Sequence, residues 1–147
     1  LIPGSGGSGW YYHRLAAILT DRGHQAIPID LPAADPRADF DAYVDACRTV
    51  LADVRSDDLI VVGQSLGGFT APLVAEQLAA PRLVFVNAMI PEPGESPRHW
   101  FATTGPERAR IELADVENRD STTAFDPMRD FFHDVPADVV TDAMALG

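Results

Sequence analysis

Lysine is absent from this chain of 147 residues, so all 11 cationic side chains are arginines, set against 22 Asp and Glu for a formal charge of −11. We read the missing lysine as compositional bias of the source genome. The acid excess bears on partners: no basic stripe exists to neutralise a phosphate backbone, which argues against nucleic acid and suits a neutral small molecule better. Cysteine is nearly absent too. With Cys47 alone, no internal disulfide and no Cys-based zinc site can be assembled. No apolar run approaches the roughly 20 residues of a membrane-spanning helix, and the first residues lack the pattern of a signal peptide. The expectation is therefore no membrane insertion, and a cytoplasmic location by default. Internal repeats and low-complexity tracts are missing as well. What remains, 46% hydrophobic and 22% charged, is the composition of a soluble globular domain. A chain of this size removes roughly 68–70% of its unfolded surface from water, enough for a core without staples.

Apolar spacing organises the first 90 residues. From Trp10 to Arg22, Tyr11, Leu15, Ile18 and Leu19 recur at helical intervals, and Gly23 stands where a glycine ends a helix. His24 to Ile29 reads as a short strand running into Asp30 and Pro32. Phe40, Tyr43, Val44, Cys47, Leu51 and Val54 fall on one stripe of a helix from about Asp39 to Val54, which makes Cys47 a buried structural thiol. Leu59 to Val62 is apolar on both faces, as a central parallel strand must be when layers cover both sides. Phe69 to Leu78 reads as a helix and Arg82 to Val86 as another buried strand. Alternation with such short connections predicts an α/β fold, a parallel sheet with helices on both faces.

From about Pro91 the strand-like runs stop. Residues 91 to 147 carry 12 acids and 5 Arg, against 10 acids and 6 Arg before them. We therefore divide the chain into a core portion, 1–90, and a helical segment, 91–147. Helices are expected near Pro106 to Val116, Asp126 to His133 and Pro136 to Leu146. Trp100, Phe101, Phe125, Phe131 and Phe132 would line one side of this segment.

Gly63-Gln64-Ser65-Leu66-Gly67 matches G-x-S-x-G, in which a strained strand-to-helix turn lifts a serine hydroxyl above the sheet. The flanking glycines have a steric reason, since a Cβ two places before or after the serine would meet neighbouring backbone. The bare pattern arises by chance in roughly one chain of this length in twenty, so its context decides. Here a four-residue apolar strand precedes it directly and a helix follows. The plainer alternative is that Ser65 only caps that helix. A serine nucleophile also needs two N–H groups for the oxyanion, one from the residue after it and one from a loop after an earlier strand. Leu66 supplies the first. The loop Pro3 to Trp10 follows Leu1-Ile2 and opens a helix, and Ser5 is our choice for the second. The same loop, Gly4 to Gly9, also fits G-x-G-x-x-G with Asp30 about 20 residues on, the fingerprint of a dinucleotide site. Trp10, Tyr11 and Tyr12 crowd the helix start that would have to approach a pyrophosphate, and that reading leaves Ser65 unexplained.

Taken together, the loop ending Gly9-Trp10, the Asp30-Leu31-Pro32 that closes the next strand, the Gly63 to Gly68 elbow and Asn87-Ala88-Met89-Ile90-Pro91 resemble α/β-hydrolases of the methylesterase and hydroxynitrile lyase group. The resemblance spans nearly the whole chain. It implies the α/β-hydrolase fold, Ser65 as nucleophile, Leu66 and Ser5 as oxyanion donors, and a helical cap beginning near Pro91. It also implies a small ester as substrate and no cofactor or metal. Gly4, Trp10, Met89, Phe101 and Phe131 are the expected substrate contacts. Two departures stand out. The family's loop usually begins His-Gly, where this one has Pro3-Gly4, and a cyanohydrin-cleaving member would want a hydroxyl-bearing residue at Gly4. Esterase is thus expected over lyase, with a non-catalytic binding remnant as a further alternative.

The family order places an acid and then a histidine after the serine, on loops following later strands. His13 and His24 precede Ser65. His99 has no Asp between it and Ser65, and His133 falls in a helical stretch. The chain is therefore expected to lack the part carrying the triad acid and base. An unpaired sheet edge would then favour self-association, a possible homo-oligomer.

Overall fold

The computed structural model describes residues 1–122 and 125–146. It divides into two compact units, Leu1–Gly94 and Glu95–Gly147.

In the first unit, Ser8 caps a short 3-10 turn, Gly9–Tyr12, its hydroxyl accepting the Trp10 N–H at 3.3 Å. The turn runs into α1, His13–Asp21, and Gly23 just past its end takes φ 85°, the left-handed conformation that a side chain resists. Asp39 caps α2, Phe40–Val50, by accepting the Ala42 N–H at 3.0 Å. β1, Ile60–Gln64, is followed by α3, Gly67–Gln77, and by β2, Arg82–Val86. β1 and β2 pair in parallel, Ile60 opposite Arg82 through Gln64 opposite Val86, and α3 is the crossover such a pair requires.

The sheet continues on the other side of β1 through single ladder rungs. Ile2 N–H donates to Val62 O at 2.7 Å and Gln64 N–H to Ile2 O, a parallel bridge between Ile2 and Gly63. One strand further out, the Leu1 amino group donates to Ile27 O at 2.8 Å and Ile29 N–H to Leu1 O at 3.1 Å. The expected strand at 24–29 is therefore not a regular element but a segment tied at these two points. The result is a small parallel sheet flanked by helices.

The core sits between this sheet and helices α2 and α3. Ile2, Ile29, Val44, Cys47, Leu51, Val61, Ala71 and Val74 are all buried within it. Three of the six stripe residues on the second helix, Val44, Cys47 and Leu51, are buried, while Phe40 stacks flat on Phe69 of α3 with ring centres 5.5 Å apart.

The second unit is helical. Ser96 caps α4, Pro97–Thr104, which the sequence reading missed because its mixed residues leave no apolar stripe. Gly105 at φ 61° breaks the chain into α5, Pro106–Val116. The helix expected at 126–133 is only the single turn α6, Pro127–Asp130, and α7 spans Ala137–Leu146. Ala114, Val140 and Ala143 are its buried apolar residues. Among the described residues no helix is long and apolar enough to cross a membrane.

Candidate active site

Everything at this site is organised around one backbone torsion. Ser65 has φ 52°, between the last residue of β1 and the first turn of α3. A residue with a Cβ resists that conformation by roughly 1–2 kcal/mol, so its surroundings must hold it there. They do so by hydrogen bonds on both sides. Ser65 N–H donates to Val86 O at 3.3 Å, and the Ser65 carbonyl accepts from Gly68 N–H at 3.0 Å and from Met89 N–H at 2.9 Å.

The turn closes only because its neighbours lack side chains. A Cβ on Gly63 would stand 2.6 Å from Ala71 Cβ and 2.9 Å from Gly67 O, and one on Gly67 would stand 2.5 Å from Pro3 O. On Gly68 it would run into the carbonyl of Met89. Gly4 presses on the serine itself, where an added Cβ would lie 2.8 Å from Ser65 Cβ. Leu66, not Ser65, stands at the N-cap of α3, and no side-chain cap bond is made there.

Ser5 and Leu66 face a common small cavity of about 20 Å³, with Gly4 also in its wall. Among the described residues neither the Ser5 nor the Leu66 N–H is taken by a backbone acceptor. The structure thus brings Ser65, Gly4, Ser5 and Leu66 into one neighbourhood. Leu31, Tyr43 and Thr70 line the same cavity and were missed by the sequence reading. Tyr43 reads from the sequence as part of the core stripe, and nothing in the local pattern of Thr70 distinguishes it. A larger cavity of about 420 Å³ in this unit has no residue of the elbow in its walls.

Trp10 is half-buried, and its ring lies 4.4 Å from that of His13, whose Nδ1 is 2.8 Å from the Trp10 carbonyl. Met89 reaches the elbow through its main chain, as described. The carboxylate of Asp30 accepts the Gly9 N–H at 2.7 Å and so closes the glycine-rich loop onto the following segment. A dinucleotide site would need that carboxylate for a ribose hydroxyl.

Phe101 and Phe131 belong to the second unit, both exposed, in edge contacts with Trp100 and Phe125 respectively. His133 is exposed and lies beyond the end of α6. The same unit holds a carboxylate–imidazole pair that the sequence reading does not include. His99 Nδ1 is 2.8 Å from Glu95 Oε1, with the carboxylate side chain 9% exposed and the imidazole 66% exposed. The signal available was a Glu four positions before a His, the Glu just ahead of the Ser96 cap of α4. Among the described residues no group of His, Cys, Asp and Glu is arranged to hold a metal ion.

Comparison with known proteins agrees with this geometry. The pattern of the alpha/beta hydrolase family matches residues 1–146. A carbendazim hydrolyzing esterase from Nocardioides sp. (strain SG-4G) is 31% identical over 105 residues, covering 65% of this chain and 43% of that protein. Norfluorocurarine synthase 2 from Strychnos sp is 31% identical over 112 residues, covering 69% and 42%. The crystal structure of polyneuridine aldehyde esterase superposes with a TM-score of 0.59 at 25% identity, over 72% of this chain and 46% of that one. The chain spans less than half the length of these relatives. With a glycine-flanked serine held at positive φ between a parallel strand and its crossover helix, and a family pattern matching nearly every residue, the chain belongs to the alpha/beta hydrolase family.

Proposed function

We propose that the protein is a serine esterase that hydrolyses small, neutral carboxylic esters through an acyl-enzyme on Ser65. The observation that carries this reading is the torsion of Ser65, which the surrounding glycines and hydrogen bonds maintain against its intrinsic cost. A histidine, which the family order puts after the serine and an acid, takes the hydroxyl proton. The Ser65 oxygen then attacks the ester carbonyl, and the negative charge that forms is held by the Leu66 and Ser5 N–H groups. Each such donor is worth about 3–4 kcal/mol in the transition state. The alcohol leaves with the proton held by the imidazole. Water activated by the same base then attacks the acyl carbonyl, releasing the acid and restoring Ser65. No step calls for a cofactor or metal.

Gly4 supports the esterase reading over cyanohydrin cleavage, because a hydroxyl-bearing side chain at that position would start 2.8 Å from Ser65 Cβ. Two of the relatives are named as esterases and one as a synthase, so the chemistry has to be tested on this protein. The test is labelling with a fluorophosphonate probe, with intact mass read on the same sample. The expected result is one phosphonyl adduct on Ser65, lost in Ser65→Ala together with ester turnover. Ester turnover that survives Ser65→Ala would end the mechanism, and a protein that neither labels nor turns over esters would be a binding remnant.

A further inference from the structure

The stretch Pro3 to Gly6 carries the Ser5 N–H that the esterase reading needs, yet little holds it in place. Further along, the loop is tied to the next segment. Leu31 N–H donates to Gly7 O at 2.7 Å, and Gly9 N–H donates to Asp30 Oδ1 at 2.7 Å. Within Pro3 to Gly6 the main chain makes only a local bond, Gly7 N–H to Gly4 O at 3.2 Å. Among the described residues, no hydrogen bond joins this stretch to another element. A donor that must meet a developing charge in one geometry calls for a firmer hold.

The small cavity that this stretch helps to line holds polar groups with nothing to bond. Thr70 is only 1% exposed and Pro3 is buried, and both stand in the wall of this space of about 20 Å³. Among the described residues, neither the Thr70 hydroxyl nor the Pro3 carbonyl has a hydrogen-bond partner. Every side-chain oxygen sealed inside the protein does have one, so the Thr70 oxygen is not sealed and opens into the cavity. Tyr43, half-buried on α2, adds a second hydroxyl without a partner to the same wall. Ser65 has no part in that wall.

Buried polar groups are nearly always bonded, to protein or to an ordered water. About 10–15 Å³ is enough for one water, provided that two to four polar groups surround it. Here the size fits one such molecule. No charged residue lines the cavity, so its chemistry suits a neutral occupant with both donor and acceptor capacity.

We propose that Thr70 is a positioning residue for the oxyanion stretch, acting through one water held in this cavity. The water accepts the Thr70 O–H and donates to the Pro3 carbonyl and to Tyr43 Oη. It ties the start of the loop to α3, whose N-cap is Leu66, so both oxyanion donors are referred to one helix. The Ser5 N–H stays free for the substrate oxygen. The kinetic consequence rests on the esterase reading; the water and the tether do not.

Thr70→Val removes the hydroxyl and keeps the shape, and Thr70→Ser restores it. In a high-resolution crystal structure of the full-length protein, one water is expected within hydrogen-bond reach of Thr70 Oγ1 and Pro3 O, and none there in Thr70→Val. Exchange at the buried Gly7 amide should rise at least about fivefold in Thr70→Val and return toward wild type in Thr70→Ser. Ester kcat should fall about tenfold in Thr70→Val with KM within about twofold, and recover in Thr70→Ser. A wild-type cavity with no water on Thr70 would overturn the proposal, and that observation decides even where Thr70→Val does not fold. Wild-type exchange at Gly7 in Thr70→Val would overturn it too. A fall in kcat that Thr70→Ser does not reverse would assign Thr70 to packing and overturn it equally. A protein with no ester turnover would end the esterase reading, while the water and the Gly7 amide would still decide this one.

Discussion

The Met89 N–H donates to the Ser65 carbonyl at 2.9 Å, so the loop after β2 holds the turn after β1. The elbow is therefore not a local motif that folds by itself. Its conformation depends on a residue 24 positions later, by subtraction of the two residue numbers.

Gly68→Ala should break that link. The new methyl group overlaps the Met89 carbonyl and forces the loop away. Overpacking of this kind costs about 1–3 kcal/mol and often more against backbone, and here it also removes a hydrogen bond. We expect a loss of about 3 kcal/mol in urea unfolding, and probe labelling of Ser65 slowed by at least about tenfold.

Gly4→Ala should separate chemistry from stability. Its Cβ meets the side chain of Ser65 at 2.8 Å, and the loop can yield toward solvent at Ser5 and Gly6. The expected loss of stability is about 1–2 kcal/mol. The labelling rate should fall further, about ten- to a hundredfold, because the serine is displaced relative to the Leu66 and Ser5 N–H groups. A rate equal to wild type would show that position 4 has no hold on the hydroxyl.

Ser65→Gly should stabilise the protein while abolishing labelling. Glycine adopts φ 52° without the cost a Cβ imposes, a relief of roughly 1 kcal/mol after its greater unfolded entropy is counted. Thermal or urea unfolding against Ser65→Ala isolates this term, since both variants lack the hydroxyl.

At alkaline pH the absence of lysine simplifies the titration. Burial pushes the Cys47 thiol from 9.0 up to about 11 and the Tyr12 hydroxyl from 10.0 up to about 12. Both groups are held neutral in the fold, so the unfolded chain releases these protons first as pH rises. Stability from each is full below its unfolded value and declines between about pH 9 and pH 12, by on the order of 2 kcal/mol per group. Tyr12→Phe and Cys47→Ala should each flatten that decline in urea midpoints measured across this range. Tyr12→Phe should also lose the bond from its hydroxyl to Ile2 O, 3.0 Å in the wild type.

Asp30→Ala removes the acceptor for the Gly9 N–H. A hydrogen bond to a charged group contributes about 1.5–3 kcal/mol when buried, and less at this exposed carboxylate, so about 1 kcal/mol is expected. Asp30→Asn should recover most of it, because the amide oxygen still accepts.

Much of this was legible from residues alone because the strongest signals were also the local ones. The apolar run before Gly63 and the helix after it identified the elbow, and the stripe through Cys47 identified the face of α2 that is buried. What could not be read was long-range. The tie between Met89 and Ser65, and the cavity shared by Ser5, Leu66, Tyr43 and Thr70, arise from segments the sheet brings together. The segment at 24–29 reads as a strand because its composition favours one, but its main-chain bonds to a neighbour are the two that tie Ile27 and Ile29 to Leu1. The pairing of Glu95 with His99 is hidden for a different reason: the two flank the start of α4, where no apolar stripe marks a helix.

The turn at residue 65 is shaped by everything except the side chain it displays: four glycines around it, and the Val86 carbonyl and the Gly68 and Met89 amides that hold its main chain. It behaves as a socket. Cysteine placed there should be offered to a substrate or a reagent at the same height and angle as serine, which makes the position a ready mount for installed reactivity or a covalent label, independent of the reaction that selected it.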